Sequence, residues 1–136
     1  MIVQPFRDVE DLVADHLRER LPDFPSEWAG TPVVTESFPS REPGEEPELT
    51  VRCEESGGNH PITQQALVRV SAWADDRDDA KTLAHLAHAA LLEHAGDAAI
   101  VSVRQVDGVV AGFDPEVPEP HATFTVLVTQ RPTGVV

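Results

Sequence analysis

Three features of the chain predict an α+β domain, with an antiparallel or mixed sheet of four to five strands and two α-helices packed on one face. Strict alternation of apolar and polar residues, clearest at Ala66–Trp73 and Ala122–Thr129, has the two-residue period of half-buried strands. Two other stretches, beginning at Asp8 and at Asp76, carry apolar residues at helical spacing. All of this falls within 136 residues at 40% apolar composition, the size of one domain, 1–136, with one core.

The first helix is expected over Asp8–Leu21. Asp8 can cap it, Asp11 stands three residues on as in a capping box, and Pro22 stops it. Val9, Leu12, Val13, Leu17 and Leu21 form its apolar face, and His16 flanks that stripe as an ordinary helix residue. Asp23–Gly30 is a connector whose Phe24 and Trp28 pin it to the body. A short strand follows over Pro32–Phe38, then a loop over Ser40–Pro47, where two prolines and a glycine exclude regular structure.

Leu49–Glu54 alternates, with Leu49, Val51 and Cys53 on one side and Thr50, Arg52 and Glu54 on the other. Gly57-Gly58-Asn59 turns the chain towards the next strand. There Ala66, Val68, Val70 and Ala72 face the core while Leu67, Arg69, Ser71 and Trp73 face away. The second helix starts at Asp75 or Asp76, with Asp78 and Asp79 at the positive end of its dipole, and Gly96 marks its stop. Ala80, Leu83, Ala84, Ala87, Ala90 and Leu91 form its core stripe. Ala99–Asp107 is a strand, Gly108–Pro120 a long loop with Asp114-Pro115 and Pro118, and the last strand runs from His121 to Thr129.

The formal charge is −14 and the pI about 4.6. Such a chain is repelled by nucleic-acid phosphates and is not expected to bind DNA or RNA by sequence. Cys53 is the only cysteine. That leaves no intramolecular disulfide and predicts a reducing compartment, with Cys53 itself a small buried hydrophobe. No apolar run approaches the ~20 residues of a membrane span. Met1–Pro5 lacks the pattern of a signal peptide, so a soluble, cytoplasmic protein with no membrane partner is expected.

Catalytic and metal residues are not expected. His85 and His88 have an allowed ligand spacing, but His94 falls on the opposite side of the same helix, and no acidic residue completes a familiar set. There is no nucleophile elbow, and Gly57-Gly58 lacks the lysine of a phosphate loop. Tyrosine is absent and Lys81 is the only lysine, which removes common proton-transfer and Schiff-base carriers. An enzyme is therefore not expected, nor is any cofactor.

The candidate functional residues are those of contact surfaces. Arg52, Leu67, Arg69, Trp73, Arg104 and Leu127 fall on the outer sheet face, which is too apolar for plain solvent and too charged for a core. Arginine stems covering that face within one chain and contacts to a neighbouring subunit both account for it. Leu86 and Leu92 lie outside the core stripe of the second helix and join the list of subunit-contact candidates. Glu42, Glu45, Glu46 and Glu48 make an acidic loop that is either solvated surface or a lining that repels passing DNA.

The order and texture of these elements resemble the tail terminator proteins of long-tailed bacteriophages, most clearly from Leu49 onward. The resemblance is carried by Leu49-Thr-Val-Arg-Cys53 before Ser56-Gly-Gly58. It continues through a strand ending in Trp73-Ala74 that runs into an acid-capped, alanine-rich helix. Val101-Ser-Val-Arg104 then leads through Asp114-Pro115 to Phe124-Thr-Val-Leu-Val-Thr129.

The resemblance implies a virion structural protein that forms a hexameric ring on the finished tail tube. Such a ring stops elongation and offers the head a docking surface, with the tube protein on one face and a neck or head-completion protein on the other. DNA would only pass through, and the protein would sit in the virion at the head–tail junction after waiting in the host cytoplasm. Six copies at −14 each sum to −84, so association should await a template or screening salt. Loops Ser40–Pro47 and Gly108–Pro120 would meet the partners. Two alternatives stand beside this: a head-completion or neck connector protein, and an acidic interaction protein such as a DNA mimic or inhibitor.

Overall fold

A computed structural model describes residues 8–59, 63–97, 99–114 and 117–131. The readings made for Met1–Pro5 and Pro115 fall outside them. The fold is α+β, as the alternating and helical periods predict: two helices pack on one face of a mixed sheet, six-stranded among the described residues.

Helix α1 (Val9–Arg20) buries Val9, Leu12, Val13, Ala14 and Leu17. Asp8 caps it by accepting the Glu10 N–H, so Asp11 is not needed for a capping box. A 3₁₀ turn with Pro22 ends it, and Trp28 is buried against the core as the connector reading expects. Strand β1 is only Val33–Val34, parallel to the start of β2 (Glu48–Asn59). The longer strand expected at Pro32–Phe38 is thus cut short. The Pro32 carbonyl accepts the Leu49 N–H of β2, and the Val33 carbonyl, on the opposite edge of β1, is taken by Arg18 Nη2 of α1 at 2.6 Å.

β2 runs antiparallel to β3 (Thr63–Trp73), with a register shift between Cys53 and Glu55. The chain then enters α2 (Arg77–Leu92), capped by Asp76, which accepts the Asp79 N–H at 2.8 Å. Its buried residues are the six of the expected stripe. The helix ends four residues before Gly96. That glycine has φ +98°, and a β-carbon on it would stand 2.8 Å from the Val101 carbonyl of β4 (Ile100–Gln105).

The stretch Gly108–Pro120, expected as a loop, is largely a hairpin. β5 (Val110–Asp114) pairs antiparallel with the first part of β6 (Val117–Gln130). The prolines at 118 and 120 are tolerated because β3 does not begin to pair until His121, so β6 has a ladder on one side only there. The strand order is β1-β2-β3-β6-β4, with β5 sharing the β4 edge of β6. The core lies between this sheet and the helices, where Val51, Val68, Val70, Phe124, Val126 and Val128 are almost wholly buried.

Candidate functional site: the outer sheet face

No described helix covers the other face of the sheet, so the alternate side chains of β2, β3, β6 and β4 decide its character. Cross-strand register builds it in rows. Trp73 stands opposite His121, Ser71 opposite Thr123, Arg69 opposite Thr125, and Leu67 opposite Leu127. On the flanks Arg52 pairs with Arg69, and Arg104 with Leu127. Six of the eight contact candidates read from the sequence therefore share one surface. Leu86 and Leu92 belong elsewhere, on α2, where Leu86 packs partly against the core and Leu92 is exposed.

The two ends of this face differ. At the Trp73 end it folds into an open cavity of about 200 Å³, floored by Thr50, Ser71, Trp73, His121 and Thr123 and rimmed by Ser37, Phe38, Arg52, Glu54 and Arg69. Trp73 is only 2% exposed, which corrects its reading as an open subunit contact. Its indole donates Nε1–H to Thr50 Oγ1 at 3.0 Å and stacks on His121 with centroids 4.3 Å apart. His121 itself lies inside β6 rather than beside a loop, donating Nδ1–H to the Glu119 carbonyl at 3.2 Å. Ser71 donates its hydroxyl proton to Thr123, which donates its own to the Val70 carbonyl. These polar groups are satisfied within the chain, as buried ones must be.

From the cavity rim outward the face is half-buried leucine and exposed arginine. Arg69 pairs with Glu54 at 3.0 Å, while Arg52 reaches round the edge of β2 to Glu10 of α1 at 3.6 Å. The same Glu10 carboxylate accepts the Cys53 N–H at 2.6 Å, capping a backbone donor beyond the point where β1 stops pairing. Cys53, expected to be buried, is half-buried.

The acidic loop is ordered around a cation of its own. Arg41 is buried, its side chain 2% exposed. It donates to the Glu45 and Glu46 carbonyls, to Asp75 at 2.7 Å and to Glu119. Asp75 also accepts the Gly44 N–H, and the two interactions, Arg41 first, hold its carboxyl below the usual range. Glu42, Glu45 and Glu46 point to solvent. Glu48 does not: it is 4% exposed and accepts from the Ser40 N–H and hydroxyl, so its place in a channel lining is corrected. A lone arginine in an acidic, proline-rich loop was the available signal for this hub.

The histidines do not converge. His85 is exposed, His88 lies against the Phe124 ring with centroids 4.6 Å apart, and His94 turns the other way. His94 accepts the Gly96 N–H, approaches Asp97 at 3.2 Å and meets His16 edge-on at 4.5 Å. Burial pushes both His16 and His88 below the ordinary histidine pKa. Among the described residues no group of three or more His, Cys, Asp or Glu is placed to hold a metal ion. Among them also, no helix is long and apolar enough to cross a membrane.

The chain matches no protein-family profile and no curated protein. The outer face is a mixed apolar–guanidinium surface that no described helix covers.

Proposed function

We propose that this protein is a ring-forming structural component of a phage virion, of the tail terminator kind. In this reading six copies close on the end of the tail tube, stop its growth and present a docking surface to the neck. DNA passes through the opening without being held. The protein would reside at the head–tail junction of the virion, and in the host cytoplasm before assembly.

The observation that carries the reading is the uncovered sheet face, where half-buried Leu67 and Leu127 sit in register beside exposed Arg52, Arg69 and Arg104. Arginine is enriched at interfaces, and half-buried leucines between the arginines supply apolar area for a partner to cover. The acidic-mimic alternative has less support, because many carboxylates serve the chain internally. Asp8 and Asp76 cap helices, Asp97 caps the turn into β4, and Glu48 and Glu119 are bonded within the fold.

Negative-stain electron microscopy of the purified protein across a salt series tests the proposal. Six-fold rings with a central opening, appearing as salt screens the repulsion between copies, are the expected result. Particles that stay small and featureless at every salt and concentration, with or without tube ends supplied, would sink it.

A further inference from the structure

Three of the ten basic side chains of this strongly acidic chain stand on the one uncovered sheet face. Arg52 and Arg69 are direct cross-strand partners, an unfavourable placement for like charges unless anions attend them. Glu54 answers Arg69, and Glu10 lies at a looser 3.6 Å from Arg52. Arg104, opposite Leu127, has no ion-pair partner among the described residues. Among the described residues the face thus carries more positive charge than its ion pairs neutralise.

The matching surface is a different patch of the same molecule. Glu42, Glu45 and Glu46 are exposed on a loop whose backbone is held by Arg41 from within. Carboxylates presented on a fixed backbone lose little further freedom when they bind.

Resting on the ring reading above, we infer that the acidic loop of one copy, Glu42 and Glu46 foremost, docks on the arginine–leucine face of the next. Loop and face are different patches, so the contact is head-to-tail, the kind that repeats around a ring. Guanidiniums recognise carboxylates with paired hydrogen bonds, and Leu67 and Leu127 supply the apolar floor. The same contact counters the repulsion between copies that each carry −14.

Sedimentation velocity on charge-reversed variants tests this, because every side chain changed is exposed and folding can be checked by circular dichroism. Arg69→Glu with Arg104→Glu reverses the face; Glu42→Arg with Glu46→Arg reverses the loop. Each variant alone should associate roughly tenfold or more weakly than the native chain. Mixed one to one, they should recover association, since each then offers the patch that the other lacks. Variants that associate as well as the native chain would overturn the contact while leaving rings seen by microscopy, and hence the ring reading, intact. Weakened variants that fail to recover on mixing would overturn it too, by giving loop and face different partners. A native chain that stays monomeric at every salt and concentration would overturn the contact as an interface between copies.

Discussion

A β-carbon placed on Gly112 would stand 2.3 Å from Nε2 of His121. The imidazole therefore packs its Nε2–Cδ2 edge against the glycine of β5 and stacks on the Trp73 indole of β3, joining three strands at one end of the outer face.

Gly112→Ala should expel the His121 ring and cost about 1–3 kcal/mol, the usual penalty for overpacking a filled site. His121→Ala should relieve most of that clash. Chemical denaturation of the two single variants and the double variant would show a coupling of roughly 1 kcal/mol, as expected for side chains in contact. Additive effects would mean that the ring moves aside freely.

Arg41→Met should be among the most damaging single changes, at roughly 3–5 kcal/mol, because it strands the nearly buried Glu119 carboxylate. Arg41→Lys should recover only part of this, since an ammonium cannot span two carbonyls and two carboxylates at once. Limited proteolysis should cut the loop at 41–47 in either variant. NMR titration should find the Asp75 pKa raised towards its ordinary value once the guanidinium is gone.

Stability should fall on mild acidification. Burial lowers the His16 and His88 pKa values in the folded state, so between about pH 7.5 and pH 5 the unfolded chain takes up protons first, near 6.5. The stabilising difference is complete above that range and shrinks as pH falls through it. His88→Leu should flatten the slope, because its Nε2 is buried with no hydrogen-bond partner among the described residues and its ring packs on Phe124. Thermal melts of both proteins at pH 7.5 and 5.5 measure the difference.

Glu10→Ala should lower stability by about 1 kcal/mol, by uncapping the Cys53 N–H on the edge of β2. Glu10→Gln keeps an acceptor and should lose less. The alanine variant should also aggregate faster, an outcome read by light scattering, because an uncapped edge strand is a template for pairing.

The faces of the sheet and of both helices were legible because burial leaves a period in the sequence. Val68, Val70, Phe124, Val126 and Val128 alternate, and Ala80, Leu83, Ala84, Ala87, Ala90 and Leu91 recur at helical spacing. What stayed hidden depended on partners distant in the chain. β5 is short and lies between prolines and glycines, so its pairing appears only with β6 in place. Nothing local to Arg41 announces Glu119, 78 positions away. Trp73 follows the outward parity of β3 and is buried all the same, because His121 stacks on it and residues from 37 and 38 rim the cavity beside it. The outer face as a surface was readable from parity alone, but its division into a cavity end and a leucine–arginine end was not.

The position of β6 has a consequence for how the protein is made. It is the last of the six described strands to be synthesised, yet it sits inside the sheet and supplies Phe124, Val126 and Val128 to the core. Until it emerges, the β2–β3 hairpin and both helices hold an open seam that no earlier segment can fill. At ~5–20 residues per second that interval lasts roughly three to ten seconds. The chain's heavy negative charge spans the same interval, so nascent copies side by side on one message repel one another while their seams are bare. Like charge would thus keep nascent copies apart for as long as the seam is open.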